Sequence, residues 1–591
     1  MPMIILLSMN MTRVTDAEGG ITLYAYDRAG RKLSEVSPKN YDSAKTIDEM
    51  SRVEYVYDLM DRVLHKVDVY KDPVGGDWIR VNGKNLEYDN SGNVIKESDA
   101  LGYEQDYGTE YTYNLAGKPV TSTDPVTRQR GLPFTIKYEY DSLGRKTSET
   151  NAKGVETLYS YDDAGNLLTV KVKKNSYSDE KTLRANTYDL AGRLLTETDG
   201  NGHTITYEYN ALDKVRKAIT PGDGTIESNT LIYQYDENAN MRLKKDSVGR
   251  IEEYVYDDQN RMISYTSKKA DGTQAITTSA RYDRNGNKRF ETDGNGVTRE
   301  NLFNKLNRLI ETKLTVNGIE KSSAYAYDAN GNQTEMTDWL GNVYTNIYDP
   351  LNRLIEKQDP YTTIQILEYN KNNLQSKSYD ALDNMTQFSY DRNGRLIYTI
   401  DAEDHVTTQS YDDLGNIEAK TDGRGISIVY EYDEFNNMTA VTNAKGERTE
   451  YTYDLNGNML TQKDAKGNTT TYEYNAANKV IRRIDHGGRT GQAGRYVYIN
   501  DKVESCTYYS DGNMKAKKDR KGQITNYTYD IHGRLTEESI GSESVSYTYD
   551  GNGNELTMTD GTGTTTYQYD PNGNLTSVTD GYGKQVQYTY N

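Results

Sequence analysis

The sequence predicts an all-β protein in which tandem antiparallel β-hairpins form one long sheet. Three observations predict this fold: aromatic residues recur at a fixed period, turn-forming residues recur between them, and the composition suits half-buried strands. No segment shows a helical period of useful length. Because strands twist, a sheet of roughly fifty strands cannot stay flat, so we expect it to coil or close on itself.

The period is clearest in the middle of the chain. We take the second aromatic residue of each Y-x-Y-[D/N] motif, or of its variants, as an anchor, and the anchors in this stretch follow one another at a constant interval. The anchors are Tyr327, Tyr348, Tyr369, Tyr390, Tyr411, Tyr432, Tyr453 and Tyr474. A fixed period of about 20 residues is typical of repeat architectures and guides the fold better than any single-residue motif.

One repeat unit is interpreted as two antiparallel strands and two turns. Tyr451 and Tyr453 share one face of a strand, whereas Thr452 points to the other face. Asp454–Gly457 (D-L-N-G) fits a type I turn followed by a left-handed glycine, and Asp464–Gly467 (D-A-K-G) repeats that chemistry. We call these the first turn and the second turn. We predict that the Y-x-Y tyrosines stack on one face of the sheet, with Glu, Thr and Gln on the other.

Changes in the period divide the chain into five sections. Residues 1–20 form a short leader, residues 21–326 form a repeat array with alternately elongated hairpins, and residues 327–475 carry the regular 21-residue repeats. Residues 476–507 form an irregular Gly-rich insert, and residues 508–591 return to the repeat and end inside a unit. The extra residues of the elongated hairpins fall around the second turn, so we expect those hairpins to extend at one edge of the sheet.

Composition and charge narrow the classes of function. The chain has 591 residues, with 54 Tyr, 49 Gly and a formal net charge of −19. So acidic a surface is typical of proteins that repel nucleic acids and anionic membranes. No stretch approaches the roughly 20 apolar residues of a membrane span, and Met1–Asn10 lacks the features of a signal peptide. The single cysteine, Cys506, excludes an internal disulfide framework.

Units such as YEYDSLGRKTSETNAKGVETLYSYDDAGN (Tyr138–Asn166) resemble the YD repeats of Rhs proteins. This superfamily includes Rhs polymorphic toxins, TcC-like components of insecticidal toxin complexes, wall-associated proteins and teneurins. The resemblance covers about Ile21 to Asn591 and recurs many times. It implies that the hairpins wind into a hollow shell or a partial shell. In bacteria such a shell typically encloses a C-terminal toxin, which is released after self-cleavage at a core region.

The sequence departs from the fuller pattern of this superfamily in three ways. We expect no core motif after the last repeats, no non-repetitive C-terminal toxin domain and no N-terminal delivery domain. KDPVGGDW (Lys71–Trp78) is similar to part of the core motif, but it lies at the wrong end, and we interpret it as an elongated turn. The self-cleavage and toxicity of the family are therefore assigned to no residue of this chain.

Two kinds of loop raise the question of a bound ligand. First turns such as Asp328–Asn332, Asp454–Asn458 and Asp570–Asn574 offer oxygen atoms to calcium, but their glycine is at position 4 and no bidentate glutamate recurs at position 12. The segment Gly487–Arg495 lacks the strand and helix context of a phosphate-binding loop. Turn chemistry explains the first kind and a flexible loop explains the second, so we expect no metal and no cofactor.

The remaining candidates form no catalytic constellation. The five histidines have no metal-binding or catalytic spacing, and Cys506 lacks the setting of a nucleophile. Rows of tyrosine are an alternative surface for sugars, although Tyr-rich cell-wall-binding repeats lean heavily on tryptophan, and only Trp78 and Trp339 exist here. We predict no catalytic, cofactor-binding or metal-binding residue and no enzyme activity. The histidines are His65, His203, His405, His486 and His532.

The leading hypothesis is a non-catalytic structural shell of an Rhs-type protein, as a fragment or split-gene product, that encapsulates a toxin or other cargo polypeptide. Its partner is then a C-terminal or separately encoded toxin that this chain does not contain. The alternative is a secreted or cell-surface adhesion protein whose repeats bind carbohydrates or surface proteins. The resemblance implies a secreted or cell-surface location, and we expect no nucleic-acid partner and no membrane span.

Overall fold

A computed structural model of the chain describes residues 11–72, 75–174, 179–316, 318–487, 489–490, 497–498 and 500–590. Within these residues, 50 strands form a single antiparallel sheet, two more form a short separate pair, and four short helices occur. The all-β fold of tandem hairpins is therefore confirmed. The chain divides into two compact units: unit 1 holds Met1–Val155, Asn301–Lys313 and Glu320–Ile428, and unit 2 holds Glu156–Glu300, Leu314–Ile319 and Val429–Asn591.

Unit 1 combines the first part of the chain with most of the regular repeats. Its strands are Arg13–Thr15, Ile21–Tyr26, Lys32–Val36, Arg52–Tyr57, Val63–Lys71, Trp78–Tyr88, Val94–Ser98, Thr109–Tyr113, Pro119–Thr123, Ile136–Tyr140, Lys146–Asn151, Gln333–Thr337, Val343–Tyr348, Leu354–Gln358, Thr363–Tyr369, Gln375–Asp380, Met385–Tyr390, Leu396–Ile400, Val406–Tyr411 and Ile417–Thr421. Its helices are the 3-10 helices Pro38–Asn40 and Ile47–Glu49 and the α-helices Ala100–Glu104 and Pro125–Gln129. The helices stand where second turns are expected, so they lie at the second-turn edge of the sheet.

Unit 2 has the same construction. Its strands are Glu156–Tyr161, Leu167–Lys173, Lys181–Tyr188, Leu194–Asp199, Thr204–Tyr209, Val215–Thr220, Asn229–Tyr235, Met241–Lys245, Arg250–Tyr256, Met262–Lys269, Ile276–Tyr282, Lys288–Thr292, Met438–Thr442, Arg448–Tyr453, Met459–Lys463, Thr469–Tyr474, Val480–Asp485, Arg489–Thr490, Val497–Tyr498, Lys502–Tyr508, Met514–Lys518, Ile524–Tyr529, Leu535–Ile540, Glu543–Tyr549, Glu555–Asp560, Gly563–Tyr569, Leu575–Thr579 and Gln585–Gln587. Four further strands contain a boundary between the units: Thr298–Phe303, Leu309–Val316, Ile319–Tyr327 and Ser427–Tyr432.

The turn chemistry predicted for the repeat is confirmed. The Gly457 backbone N–H donates to the Asp454 carbonyl at 3.2 Å, and Gly457 has a φ of 82°. The Asp454 N–H donates to the Asn458 carbonyl at 2.9 Å, and the strand register shifts just before the turn. A type I turn followed by a left-handed residue and a bulge gives this pattern. The Asp454 carboxylate Oδ1 also accepts the N–H groups of Asn456 and Asn458, which fixes the loop.

The two faces of the sheet differ in the way the alternation predicts. In the strand Arg448–Tyr453, Tyr451 and Tyr453 are half-buried, whereas Thr452 is exposed on the other face, 2.7 Å from the Thr461 hydroxyl. The accessible surface of the chain is 34778 Å². A compact monomer of 67.0 kDa exposes only about 21,000 Å², so most of this sheet is covered on neither face.

The Y-x-Y tyrosines share a face as predicted, and ring contacts occur within one motif at Tyr24 and Tyr26 (ring centres 6.4 Å apart), but successive anchors among the described residues do not stack on one another. Neighbouring anchors lie two strands apart, which is about 9.6 Å, whereas stacked rings need centroids within about 7 Å. Anchors such as Tyr369 and Tyr411 contact a basic side chain of the preceding first turn instead. The Arg353 guanidinium lies 5.0 Å from the Tyr369 ring centre, and the Arg395 guanidinium lies 4.5 Å from the Tyr411 ring centre.

Insertions in the early array are accommodated in two ways. Leu167–Lys173 has 7 residues and Met262–Lys269 has 8, whereas a regular strand such as Met438–Thr442 has 5. Other second-turn insertions form the short helices Ala100–Glu104 and Pro125–Gln129. The five-section division of the chain stays a prediction, because each compact unit combines segments from several sections.

Three predicted features fall partly outside the described residues. These are residues 1–10 of the leader, residues 73–74 of the elongated turn Lys71–Trp78, and residues 488, 491–496 and 499 of the Gly-rich insert. The described part of the insert includes the two-residue strands Arg489–Thr490 and Val497–Tyr498, which pair antiparallel.

Candidate functional site at the edges of the sheet

Many anchor tyrosines join their hairpin to the hairpin before it by a hydrogen bond from the ring hydroxyl. The Tyr453 hydroxyl donates to the Met438 carbonyl, 15 residues earlier in the chain, at 2.8 Å. Met438 begins the strand that follows a first turn, so this bond joins neighbouring hairpins at the first-turn edge. The same 15-residue bond joins Tyr209 to Leu194, Tyr256 to Met241, Tyr369 to Leu354, Tyr390 to Gln375, Tyr411 to Leu396 and Tyr474 to Met459. The edge is thus a hydrogen-bonded row rather than a series of independent loops.

Within each unit, first turns also meet second turns that lie far away in the sequence. We call these contacts seams. In unit 2, the Asn201 amide donates to the Asp454 carboxylate at 2.8 Å, and the Asn456 amide donates to the Asp199 carboxylate at 2.7 Å. Each turn therefore gives one amide and receives one amide, and both bonds have an ionised acceptor, which makes them stronger than neutral hydrogen bonds.

A second seam in unit 2 repeats this exchange. Asn295 donates to the Asp550 carboxylate at 2.8 Å, and Asn552 donates to the Asp293 carboxylate at 2.9 Å. The two backbones come so close that a Cβ on Gly294 would overlap the backbone of Gly551. Glycine is required at Gly294 because another chain segment occupies the space of a side chain.

At two seams of unit 1 the second-turn partner is a helix N-terminus. Asp99 and Asp124 cap the helices Ala100–Glu104 and Pro125–Gln129, and each also accepts an asparagine amide from a distant first turn. Asn372 donates to Asp99 at 2.7 Å, and its carbonyl accepts the Leu101 N–H at 2.9 Å. Asn393 donates to Asp124 at 2.8 Å and accepts from Val126 in the same way. One asparagine thus satisfies both a cap residue and a free helical N–H.

Apolar tip residues pack beside these polar contacts. Leu351, in a first turn of unit 1, packs against a buried cluster of Tyr70, Val81 and Ala100. In unit 2, a Cβ added to Gly200 would lie 2.7 Å from the Leu455 Cβ, so Leu455 rests directly on the second turn. The seams therefore combine charge-assisted hydrogen bonds with local apolar packing.

Two seam carboxylates, Asp199 and Asp550, have a pKa below the ordinary value of an aspartate. Burial alone would raise the pKa of Asp199, but hydrogen bonds from the His203 N–H and the Asn456 amide outweigh it, so the pKa lies below its ordinary value. Burial also raises the pKa of Asp550, but hydrogen bonds from the Asn295 and Asn554 amides outweigh this effect, so that pKa too lies below its ordinary value. The donors stabilise the charged form, so these two seams depend on a carboxylate opposite a carboxamide.

The candidate calcium turns have their oxygen atoms occupied by hydrogen-bond donors. The Asp454 Oδ2 atom accepts both the Asn458 amide and the Asn201 amide at 2.8 Å, while Oδ1 accepts backbone N–H groups. No group of three or more His, Cys, Asp or Glu side chains with the arrangement of a metal site occurs among the described residues. The turn Asp328–Asn332 takes part in a seam through Asn330, whose amide carbonyl accepts the Lys39 N–H at 2.9 Å.

The histidines are separate from one another and have different neighbours. His65 pairs with Asn85, His203 with Asp199, His405 with Asp401, His486 with Thr471 and Asp501, and His532 with Ser267 and Gln274. Cys506 is half-buried, and burial raises the pKa of its thiol, which disfavours the reactive thiolate. The described part of the Gly-rich insert places none of these groups together.

Sequence reasoning treated the third residue of the first turn as turn chemistry and missed the seams. One signal was present: Asn330, Asn372, Asn393, Asn456 and Asn552 all occupy this third position in the later half of the chain. Turn geometry requires nothing of that side chain, so its recurrence indicates a contact outside the turn. The second turn that each asparagine contacts was not predictable. The repeat period does not determine how the sheet coils, and the coiling brings residues 253 positions apart in the sequence into contact.

Comparison with known proteins identifies the repeat. The RHS repeat family model matches seven segments, at residues 140–174, 188–226, 390–427, 411–449, 432–469, 453–490 and 549–585. A tRNA3(Ser)-specific nuclease, WapA, of Bacillus spizizenii is 27% identical over 255 residues, which are 42% of this chain and 9% of the relative. Double-stranded DNA deaminase toxin A of Burkholderia cenocepacia is 28% identical over 170 residues, which are 25% of this chain and 11% of the relative. The matched parts are thus small fractions of these much longer relatives.

Two solved structures share the fold across nearly the whole chain. The crystal structure of TcdB2-TccC3 without its hypervariable C-terminal region aligns with a TM-score of 0.56 and 16% identity, over 97% of this chain and 31% of that one. A structure of the Photorhabdus luminescens Tc holotoxin pore aligns with a TM-score of 0.56 and 12% identity, over 95% and 35%. At these identities the likeness shows the fold alone. None of the helices described here is long and apolar enough to cross a membrane.

Proposed function

We propose that this chain, an RHS-repeat protein, is a non-catalytic wall that encloses a toxin or another cargo polypeptide. The observation that carries the proposal is the seams, which join first turns to distant second turns by repeated carboxylate–carboxamide exchange. A binding platform needs only one exposed face and has no use for joined edges. A wall does need them, because an unjoined edge leaves a gap.

The similarity to relatives that are toxins supports a toxin as the cargo. The relatives named as a nuclease and a deaminase toxin match 42% and 25% of this chain and extend far beyond the match. A toxin that acts on another cell must leave the cell that makes it, so we propose a secreted or surface location. The cargo partner is a polypeptide encoded after these repeats or by a neighbouring gene.

The alternative of sugar binding by tyrosine rows has less support. Carbohydrate-binding aromatics need an open ring face, whereas the Tyr369 and Tyr411 rings lie under guanidinium groups and their hydroxyls are already hydrogen-bonded. Trp78 is about half exposed, and Trp339 contacts the Lys321 ammonium. A glycan array with the purified chain tests this alternative.

The native reading frame and its neighbours test the proposal. We would sequence the native DNA and transcript on both sides of the codons for Met1 and Asn591. A short unrelated toxin-like segment, in frame or in the adjacent gene, is the expected result. A free-standing frame with no such segment nearby would contradict enclosure of a toxin and favour adhesion.

A further inference from the structure

Unit 1 has two edges that its seams leave uncovered. The seams of this unit join second turns of its early segment to first turns of its later segment, as at Asp99 with Asn372. The seams of the described residues do not cover the first turns of the early segment (up to Val155) or the second turns of the later segment (from Glu320). Among the described residues, both of these edges carry large exposed apolar side chains at their tips.

The early first turns expose a row of aliphatic residues. Leu59 and Leu115 are fully exposed, Leu143 is 73% exposed and Met60 is 66% exposed. Single exposed apolar residues are ordinary, but three of four successive first turns carry one here, and only the polar turn Asp89–Gly92 interrupts the row. Such a row is typical of an interaction surface.

The later second turns expose an equally regular row. Leu340, Tyr361 and Leu382 recur once per repeat, occupy the third position of successive second turns, and are 54%, 89% and 82% exposed. Successive turns on either edge lie two strands apart, so Leu340, Tyr361 and Leu382 repeat about every 9.6 Å, as do Leu115 and Leu143 on the early edge. Over these neighbouring tips the two rows match in spacing as well as in apolar character.

The chain itself shows what covers such tips. Leu143 and Leu414 occupy the same third position of a first turn (S-L-G and D-L-G), yet Leu414 lies in the seam region and is half-buried. Leu351, also at a third position, packs on a cluster formed at the second-turn edge. Apolar first-turn tips are thus covered by a second-turn edge wherever one is available within the unit.

We propose that a second copy of this chain covers the free edge, so that copies stack head to tail. The later second-turn row of one copy (Leu340, Tyr361 and Leu382) docks on the early first-turn row of the next (Leu59, Met60, Leu115 and Leu143). The contact uses a different patch on each partner, so each copy keeps one free row and the stack continues. The net charge of −19 opposes association, so added salt strengthens it.

Sedimentation equilibrium of the full chain tests this inference. The weight-average mass of the wild type rises with concentration to at least twice 67.0 kDa, and it rises further at higher salt. Leu59→Glu with Leu143→Glu removes one row, and Tyr361→Glu with Leu382→Glu removes the other. Each double variant stays monomeric alone, because it keeps one row without its counterpart.

Mixing the two double variants tests most directly whether one row binds the other. Each supplies the row that the other lacks, so an equimolar mixture forms a dimer of defined size that does not grow further. Val255→Glu, which adds a charge on a sheet face, leaves the wild-type association unchanged, and circular dichroism establishes that every variant is folded. A wild type that stays monomeric, edge variants that still associate, or a mixture that forms no dimer would each overturn the proposal. None of these outcomes bears on cargo enclosure, which the reading-frame test addresses separately.

Discussion

At the scale of single residues, the chemistry of a seam depends on the difference between a carboxamide and a carboxylate. Asn456 gives its amide hydrogen atoms to Asp199, and Asp454 receives the amide of Asn201. Replacing one oxygen by nitrogen turns repulsion between two turns into a charge-assisted hydrogen bond. The residue pair, rather than either residue alone, determines whether the edges join.

Asn456→Asp therefore places two carboxylates 2.7 Å apart and destabilises the seam of unit 2 by about 2 kcal/mol, since a bond to a charged group is lost and repulsion replaces it. Urea unfolding followed by amide hydrogen exchange measures the effect. The exchanged pair Asn456→Asp with Asp199→Asn restores one carboxylate opposite one carboxamide and recovers most of the stability. A double variant no more stable than Asn456→Asp would refute the pairing.

The anchor hydroxyl makes a second residue-scale contribution. Tyr453→Phe removes the 2.8 Å bond to the Met438 carbonyl but keeps the ring, so we expect a loss of about 1 kcal/mol and faster amide exchange in that hairpin. Tyr451→Phe is the matched control on the same face, because no described residue hydrogen-bonds its hydroxyl. Equal losses for the two variants would show that the hydroxyl bond does not fasten the hairpins.

Acid should open the seams. The pKa values of Asp199 and Asp550 are lowered in the folded state by amide and N–H donors, despite burial. A lowered folded pKa means that the stabilisation is present above the unfolded value of about 3.9 and is lost as the pH falls through the folded pKa. The unfolding free energy should fall between about pH 5 and pH 2, with a shallower fall in Asp199→Asn. Stability that stays constant or rises on acidification would contradict this.

At the scale of the element, each hairpin is specified locally. The sequence D-L-N-G-N determines the turn, the left-handed glycine and the bulge, and all three were predicted because each depends on neighbouring residues alone. Tyrosine stacking fails between successive anchors for the opposite reason. It required the distance between hairpins, and two strand spacings are too long for ring contact. The helix caps Asp99 and Asp124 were also not predicted, because helices of five residues leave no periodic pattern in the sequence.

The repeat unit also determines which deletions the fold should tolerate. Removing residues 550–569 takes out one whole unit and brings Asp570-Pro571-Asn572-Gly573-Asn574 to the place of Asp550–Asn554, so the first and third residues of the seam turn are retained. We expect this variant to fold with a modest loss of stability, part of which comes from Pro571, because it takes the place of Gly551, where a Cβ has no room beside the Gly294 backbone. Removing residues 550–559 instead puts a second turn where a first turn belongs and exchanges the edges of every later strand, so it should fail to fold. Circular dichroism and thermal unfolding compare the two, and equal damage would contradict a modular array.

At the scale of the whole molecule, the fold class was predictable and the joining of edges was not. The fixed period, the alternation and the twist together imply a long coiling sheet. Which turns meet depends on the accumulated twist and on the insertions of the early array. The accumulated twist is a sum over many residues, so no local motif, such as D-G-N-G at Asp199–Gly202, reveals which turns will meet. Glycines that a second backbone requires, such as Gly294, likewise look like ordinary turn glycines in the sequence.

The central claim is that joined edges make a wall around a polypeptide, and protease protection of a cargo tests it most directly. A non-folding, protease-labile polypeptide is fused after Asn591 and digested in three full-length backgrounds: wild type, a seam wedge (Gly200→Val with Gly294→Val), and Gly561→Val. Gly200 and Gly294 have no room for a side chain, whereas no described atom lies within 4 Å of a Cβ at Gly561, the same position of a later second turn. We predict that the cargo survives in the wild type and the Gly561→Val control and is cleaved many-fold faster in the wedge variant. Rapid cleavage in all three would show that these repeats enclose nothing.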